Sequence, residues 1–367
     1  MTQRHEPPDG PGTVYAVRRG QLHAVSGPGR NTPRPKVRWR RRLLLLGSVL
    51  AVLVGSGAIG VNLLVNHYEN RITRQDIFAN VPQGERVTAA PVTGPMNILL
   101  LGSDNAAGKR GREGVKGQRS DTLMLLHVSR GFDHVVVVSI QRDSYVDVPA
   151  VPGWPGGKSK ITEALDLGGP ALALRTVQDL LGIDIAHVAV VSFEALHKAT
   201  DAVGGVDVYV DQPVYDKVPR QNWSAGWHHL DGQRAEAYVR QRTGLPASDY
   251  DRMKRQQQYI RALVKKATSS GVLTDPFKLD ALLNAVTSSI TVDKDMPVKE
   301  LAFAARNIRL KNVTFATMPT LGLLRLNGTD YEQVDTVAAQ ALGRAINTDD
   351  FGPYFAAFPP NDATHGF

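Results

Sequence analysis

The sequence predicts an α/β domain, with helices on both faces of a sheet, preceded by one membrane-spanning helix. Three observations predict this fold class. A charge-free apolar segment lies near the N-terminus, short continuous apolar runs recur after residue 95, and stretches of helical periodicity separate those runs. Short continuous apolar runs are typical of strands that are buried on both faces.

The apolar segment covers residues 43–65 and is long enough to cross a bilayer as a helix. Five basic residues lie directly before it, between positions 36 and 42. Positive charge favours the cytoplasmic side, so we expect a single-pass protein of the cell membrane, with a cytoplasmic N-terminus and an extracytoplasmic domain. A cleaved signal peptide is the alternative, but the segment is long for one and begins more than forty residues into the chain.

The net charge of +8 comes from the N-terminal part of the chain. Residues 1–66 hold 10 Lys+Arg and 2 Asp+Glu, whereas residues 67–367 hold 33 of each. A folded part without excess positive charge argues against nucleic acid as a partner. The absence of cysteine excludes disulfides, thiolate catalysis and cysteine-based zinc sites. Residues 1–42 are predicted to be a disordered, basic cytoplasmic tail, and residues 66–95 a stalk.

The remaining chain is predicted to form one domain, residues 96–345, followed by an irregular tail, residues 346–367. Its predicted strands cover residues 96–101, 122–128, 134–140, 187–193, 206–210 and 313–318. Its predicted helices cover residues 170–181, 194–202, 248–266, 279–286, 298–308 and 331–345.

Charged and other polar side chains cluster next to the predicted strands, where ligands of α/β proteins usually bind. Those singled out are Asp104, Arg119, Asp121, Arg142, Arg240, Arg242, Asp249, Arg252 and Gln256. Guanidinium groups bind phosphate oxygens in bidentate fashion, and carboxylates bind Mg²⁺. In an extended stretch Arg240 and Arg242 would point to one side, and Arg252 and Gln256 share one helix face.

The alternative to a phosphate site is a set of ordinary ion pairs on loops. That interpretation suits any single Arg or Asp, but a set of them at strand ends favours a phosphate ligand. Other chemistries lack their motifs. The predicted domain contains no G-x-S-x-G elbow, no P-loop and no H-E-x-x-H sequence.

Several ordered motifs resemble the LytR–CpsA–Psr (LCP) family of bacterial cell-envelope proteins. The matching stretches include residues 97–104 (NILLLGSD), 119–122 (RSDT), 139–144 (SIQRDS), 160–164 (KITEA), 238–242 (YVRQR) and 251–257 (DRMKRQQ). The chain departs from the usual pattern at Gln141, where the family has proline, and at Thr162 and Leu165. The first departure predicts a less rigid loop after the third strand.

The resemblance implies an α-β-α sandwich with a central mixed sheet, a hydrophobic channel for a polyprenyl chain, and a pyrophosphate site at its mouth. It also implies Mg²⁺ as cofactor, with Mn²⁺ as the alternative. Asp104 and Asp121 resemble the metal ligands. The residues that resemble the pyrophosphate-binding set are Arg119, Arg142, Lys160, Arg240, Arg242, Arg252 and Gln256. The residues assigned to catalysis are Asp104, Asp121, Arg142 and Asp249.

The activity that the resemblance implies is a phosphotransfer. A glycopolymer would move from a polyprenyl-pyrophosphate carrier to a sugar hydroxyl of peptidoglycan, with Asp104 or Asp249 accepting the proton. Two alternatives stay open. One is a phosphatase that hydrolyses the carrier, and the other is a non-catalytic envelope sensor that attenuates transcription.

Overall fold

The computed structural model describes residues 14–18, 21–25, 70–81, 92, 94–103, 120–216, 221–241, 243–269, 271–272, 275–304 and 308–361. The chain forms two units, residues 1–62 and residues 63–367. In the first unit, strands β1 (Val14–Arg18) and β2 (Gln21–Val25) pair antiparallel. The tail predicted to be disordered therefore contains a hairpin.

The segment predicted to span the membrane, residues 43–65, lies outside the described residues. Among the helices that are described, none combines the length and the apolar character that a bilayer crossing requires.

The second unit is built on a seven-stranded mixed sheet with the order β15-β6-β5-β4-β9-β14-β3. Its strands are β3 (Thr73–Gln75), β4 (Met96–Ser103), β5 (Ser120–Val128), β6 (Val135–Ile140), β9 (His187–Ser192), β14 (Ile290–Asp293) and β15 (Val313–Thr317). The neighbouring four-stranded sheet has the order β16-β17-β7-β8. Its strands are β7 (Ser144–Val148), β8 (Gly157–Lys160), β16 (Thr320–Leu326) and β17 (Thr329–Val334).

Two strand pairs complete the sheet structure of the described ranges, and helices connect the strands. The pairs are β10 (Val206–Val210) with β13 (Gly226–Leu230), and β11 (Val214–Asp216) with β12 (Gln221–Trp223). The helices are α1 (Glu163–Leu181), α2 (Phe193–Ala202), α3 (Gly232–Arg240), α4 (Asp249–Ser269), α5 (Pro276–Thr287), α6 (Val298–Ala304), α7 (Thr336–Thr348) and α8 (Gly352–Ala357).

Side chains of successive residues in the central strands point to opposite faces, and apolar clusters cover both faces. Leu123 and Leu125 of β5 belong to a cluster that also contains Leu172 of α1 and Leu342 of α7. Met124, between those two leucines, belongs to a second cluster. That cluster also contains Phe315 of β15 and packs against Ile260 of α4 and Leu301 of α6. The mixed α/β fold with a central mixed sheet is therefore confirmed, and the clusters on its two faces contain helix residues.

The strand directions place the carboxyl ends of four strands at one edge of the central sheet. β4 and β6 both pair antiparallel with β5, β9 is parallel to β4, and β15 is parallel to β6. β4, β6, β9 and β15 therefore end at the same edge, where β5 begins. We call this the carboxyl edge.

The structure corrects four sequence predictions. β3 pairs with β14, and Ile77 and Phe78 join the main core, so part of the predicted stalk belongs to the folded unit. The predicted helix 331–345 begins later, because Thr329–Val334 is a strand and Asp335 caps α7 through Ala338 N at 3.0 Å. The tail predicted to be irregular contains α8. Arg240 ends helix α3 rather than lying in an extended stretch.

Candidate functional site

The turn after β6 carries Arg142 to the carboxyl edge. Ser144 N donates to Gln141 O at 3.1 Å, which closes the turn, and Thr162 N donates to Arg142 O at 3.1 Å. The backbone N–H of Glu332, on β17, donates to Asp143 O at 2.8 Å. Backbone contacts from two neighbouring segments therefore hold this turn, although Gln141 stands where the resemblance expects proline.

Arg142 lies between two carboxylates. Its Nε atom is 3.4 Å from Asp143 Oδ2 and 3.5 Å from Asp249 Oδ1. Lys160 Nζ donates to Asp143 Oδ1 at 2.8 Å, and Arg252 Nη2 donates to Asp249 Oδ1 at 2.6 Å. Five ionic side chains, contributed by β8, α4 and the turn after β6, thus form one ion-pair cluster with one excess positive charge.

The cluster ranges from partly exposed to fully buried. The side chains of Arg142 and Lys160 are 22% and 21% exposed, whereas that of Arg252 is only 2% exposed. Lys160 Nζ also lies 5.6 Å from the centre of the Tyr331 ring. A ligand can therefore reach Arg142 and Lys160 from solvent, while Arg252 acts from inside the protein.

Helix α4 places its site residues on one face. Arg252 and Gln256 are one turn apart, and Gln256 Nε2 donates to Thr122 Oγ1 at 2.9 Å. Thr122 lies at the start of β5, directly after Asp121. The Gln256–Thr122 hydrogen bond therefore fixes α4 against the strand that carries a predicted metal ligand.

One proposed metal ligand, Asp104, follows the end of β4, and the other, Asp121, is the second residue of β5. Ser103 of β4 pairs with Ser120 of β5, and the register shifts between Gly102 and Ser103. Ser103 is followed directly in the chain by Asp104, and Ser120 by Asp121. Asp104, Arg119, Arg242 and the side chain of Asp121 lie outside what the structure describes. Over the described ranges, no group of three or more His, Asp or Glu side chains could hold a metal ion.

Arg240 makes contacts different from those of the ion-pair cluster. Its Nη1 atom donates to Glu236 Oε1 at 2.5 Å, and its guanidinium lies 4.5 Å from the centre of the Phe193 ring. Phe193 follows Ser192, which pairs with Ser103 at the carboxyl edge. Arg240 is therefore placed beside the end of β9, and its contacts tie it to α2 and α3.

Sequence reasoning missed a buried acid next to the cluster. Glu332 is 7% exposed and accepts hydrogen bonds from Tyr250 OH at 2.5 Å and from Thr320 Oγ1 at 2.6 Å. Burial, together with the hydrogen bond to Glu332, raises the pKa of Tyr250 to about 12. The Tyr250 hydroxyl therefore stays protonated at neutral pH, and it ties the first turn of α4 to β17. Glu332 belongs to no local sequence motif, and it fell within the predicted helix 331–345.

The sequence of the folded unit matches a known protein family over most of its length. The LytR_cpsA_psr family matches residues 63–347. The chain is 33% identical over 296 residues to the cell wall biosynthesis protein LcpA of Corynebacterium glutamicum, covering 69% of this chain and 56% of LcpA. It is 31% identical over 263 residues to the polyisoprenyl-teichoic acid–peptidoglycan teichoic acid transferase TagU of Enterococcus faecalis, covering 69% of this chain and 80% of TagU. The chain therefore spans little more than half of LcpA.

Solved structures share the fold. The protein gbs0355 of Streptococcus agalactiae superposes with a TM-score of 0.61 at 25% identity, covering 70% of this chain and 89% of that one. TagV of B. subtilis superposes with a TM-score of 0.57 at 25% identity, covering 70% of this chain and 97% of TagV. The structure of TagT bound to LIIa-WTA superposes with a TM-score of 0.56 at 25% identity, covering 76% of this chain and 98% of TagT.

Proposed function

The chain belongs to the LytR_cpsA_psr family, and from that premise we propose that it is a membrane-anchored phosphotransferase of cell-wall assembly. It moves a glycopolymer from a polyprenyl-pyrophosphate carrier to a sugar hydroxyl of peptidoglycan. The observation that carries the proposal is the ion-pair cluster at the carboxyl edge. The name of the TagU relative, a polyisoprenyl-teichoic acid–peptidoglycan teichoic acid transferase, supports the same reaction class.

The cluster suits a pyrophosphate because it holds cations in fixed positions before the ligand arrives. Asp143 and Asp249 keep Arg142, Lys160 and Arg252 close together, although the three cations repel one another. A pyrophosphate diester carries two negative charges, and the partly exposed Arg142 and Lys160 can turn towards its oxygens. Such pre-organised charge is the main source of catalysis in phosphoryl transfer.

We also propose that Mg²⁺ binds at Asp104 and Asp121, with Mn²⁺ as the alternative. The donor set fits, since one carboxylate directly follows the end of β4, the other lies at the start of the neighbouring β5, and hard cations prefer oxygen ligands. When bound there, the ion supplies positive charge to the pyrophosphate oxygens. Arg119 and Arg242 are proposed to add their charge at the same edge, and Arg240 to contact the glycan-bearing phosphate from the end of β9.

In the proposed reaction, the acceptor hydroxyl oxygen attacks the phosphorus that bears the glycan. The bond from that phosphorus to the bridging oxygen breaks, and polyprenyl phosphate leaves. Arg142 and Lys160 stabilise the charge that develops on the phosphate oxygens. Asp249 Oδ1 is already engaged by Arg252 and Arg142, so we assign it to holding these arginines and assign the proton acceptor to Asp104.

The membrane topology is part of the proposal. Residues 43–65 would anchor the chain, so that the cluster faces the outside, where peptidoglycan lies. The chain lacks cysteine, so single cysteines can report the topology. In intact cells a membrane-impermeant maleimide should label Ser288→Cys, in the folded unit, but not Ser26→Cys, in the tail. Labelling of Ser26→Cys alone would contradict this orientation.

The reaction is tested by removing the central arginine. The full chain in detergent would receive a polyprenyl-pyrophosphate-linked glycan and a peptidoglycan acceptor, and the joined product would be quantified. Arg142→Ala should lower the rate by about 10²–10³-fold, as for lost transition-state donors elsewhere. Arg325→Ala is the matched control, because Arg325 forms an exposed ion pair on the β16–β17 hairpin.

Each outcome separates the candidate functions. Joined product with the wild type and its loss in Arg142→Ala support the transferase. Release of polyprenyl phosphate and unjoined glycan phosphate despite an acceptor would identify a hydrolase. Equal rates in Arg142→Ala and the wild type would refute the role of the cluster.

A further inference from the structure

A second concave feature lies on a different face of helix α4 from the ion-pair cluster. It is a cleft of about 250 Å³ between α4, the end of β10, and the loop before α4. Asp251, Arg255 and Gln258 line it and are spaced three or four residues apart, so they share one face of α4. The cleft and the cluster therefore occupy different faces of one helix.

Gln257 links the two sites. It lines the cleft, and its Nε2 atom donates to Ser139 Oγ at 2.8 Å and to Ala316 O at 3.1 Å. Ser139 is near the end of β6, three residues before Arg142. A molecule in the cleft therefore contacts a residue that is hydrogen-bonded to the strand leading to the central arginine.

The lining of the cleft is polar without being dominated by one charge. Asp211 and Asp251 contribute carboxylates, whereas Lys254, Arg255 and Arg261 contribute cations. A polyanion needs an accumulation of positive charge, and this lining does not provide one. Carboxamides add both donors and acceptors; they belong to Gln212, Gln257, Gln258 and Asn361.

An aromatic surface adjoins the same cleft. Tyr209 lines it, and the Trp227 ring meets the Tyr209 ring edge-on, with 5.4 Å between centroids. Trp227 is 55% exposed, so a large apolar ring is presented to solvent beside a polar cleft. Amphipathic rings next to amides and charged groups suit a ligand with apolar C–H faces and many hydroxyl and amide groups.

We propose that this cleft binds the acceptor, a glycan strand of N-acetylated amino sugars. The inference rests on the proposed function, because the cleft includes Ala247 of the loop that leads to Asp249, and an extended strand bound there would continue past the first turn of α4 to the ion-pair cluster. Trp227 stacks on a sugar ring, and Gln212 bonds to its hydroxyl or acetamido groups.

Binding can be measured without any turnover. The probe is a tetrasaccharide of alternating N-acetylglucosamine and N-acetylmuramic acid, titrated into the full chain in detergent by calorimetry or ligand-observed NMR. Trp227→Ala should weaken binding by about fivefold, the effect of losing one aromatic contact. Gln212→Ala should weaken it as well. Phe277→Ala is the control, since Phe277 is an aromatic residue of α5 that is 87% exposed.

Several results would overturn the inference. These are no binding to the wild type, wild-type affinity in both cleft variants, or a loss in Arg142→Ala as large as in Trp227→Ala. Tighter binding of a phosphodiester-linked glycopolymer fragment would assign the cleft to the donor and overturn the acceptor role. Tetrasaccharide binding that depends on Trp227, in a protein that transfers nothing, would support the saccharide site and refute the proposed function alone.

Discussion

The pairing of Asp249 with a buried arginine makes a quantitative prediction about stability. Asp249 Oδ1 lies 2.6 Å from Arg252 Nη2, and the side chains are 13% and 2% exposed. Removing one partner of a buried pair costs about 3–5 kcal/mol, because the other charge stays desolvated. Asparagine can still accept a hydrogen bond through its carbonyl, so we expect Asp249→Asn to lower the free energy of unfolding by about 3 kcal/mol.

The assay is urea and thermal unfolding of the full chain in detergent, followed by circular dichroism. A loss of about 3 kcal/mol corresponds to a Tm lower by about 6–10 °C for a unit of this size. Asp330→Asn is the matched control. It breaks the Arg325 Nε–Asp330 Oδ1 pair at 3.1 Å, whose side chains are 70% and 53% exposed, and should cost less than about 1 kcal/mol.

A double variant tests the physical cause. If the cost comes from a desolvated guanidinium, then Asp249→Asn combined with Arg252→Met should be more stable than Asp249→Asn alone. Equal losses in Asp249→Asn and Asp330→Asn would refute the reasoning, since the buried pair would then behave like an exposed one.

Three further predictions concern other features of the folded unit. Burial lowers the pKa of His127 below 6.5. Below about pH 6.5 the unfolded state therefore binds more protons than the folded state, and the free energy of unfolding falls as the pH is lowered. His127→Gln should flatten this slope in urea titrations between about pH 5 and 7, and an unchanged slope would contradict the assignment. Tyr250→Phe should cost about 1–2 kcal/mol, because the buried Glu332 loses a hydroxyl donor; no change in the free energy of unfolding would show that this hydrogen bond contributes nothing. Chelation with EDTA should abolish transfer and added Mg²⁺ should restore it, with Asp121→Ala requiring more Mg²⁺ than the wild type; transfer that survives chelation would exclude the metal.

The sheet core was predictable because its signal is local. The run from Ile98 to Leu101 and the runs of β5 and β6 are mostly apolar and buried, and they form the central strands. The turn residues Arg142 and Asp143 follow directly from the end of β6. The contact between Arg142 and Asp249, 107 positions apart, needed the additional inference that site residues of an α/β domain converge at one edge.

Elements without a local signal could not be found. β3 consists of three exposed residues, Thr73–Gln75, and is a strand only because β14 pairs with it. Glu332 could not be assigned to the site because it fell within the predicted helix 331–345. In the structure it lies on β17, and the helix begins only after the capping residue Asp335. His127 and Asp349, joined at 2.9 Å across 222 positions, likewise carry no sequence pattern.

The central claim is that the ion-pair cluster binds a pyrophosphate, and a structure of the full chain with a polyprenyl pyrophosphate tests it most directly. The account predicts that phosphate oxygens lie within hydrogen-bonding distance of both Arg142 and Lys160, with Arg252 behind them. Phosphates bound elsewhere, with the Arg142–Asp249 and Lys160–Asp143 pairs unchanged and solvent-facing, would contradict it.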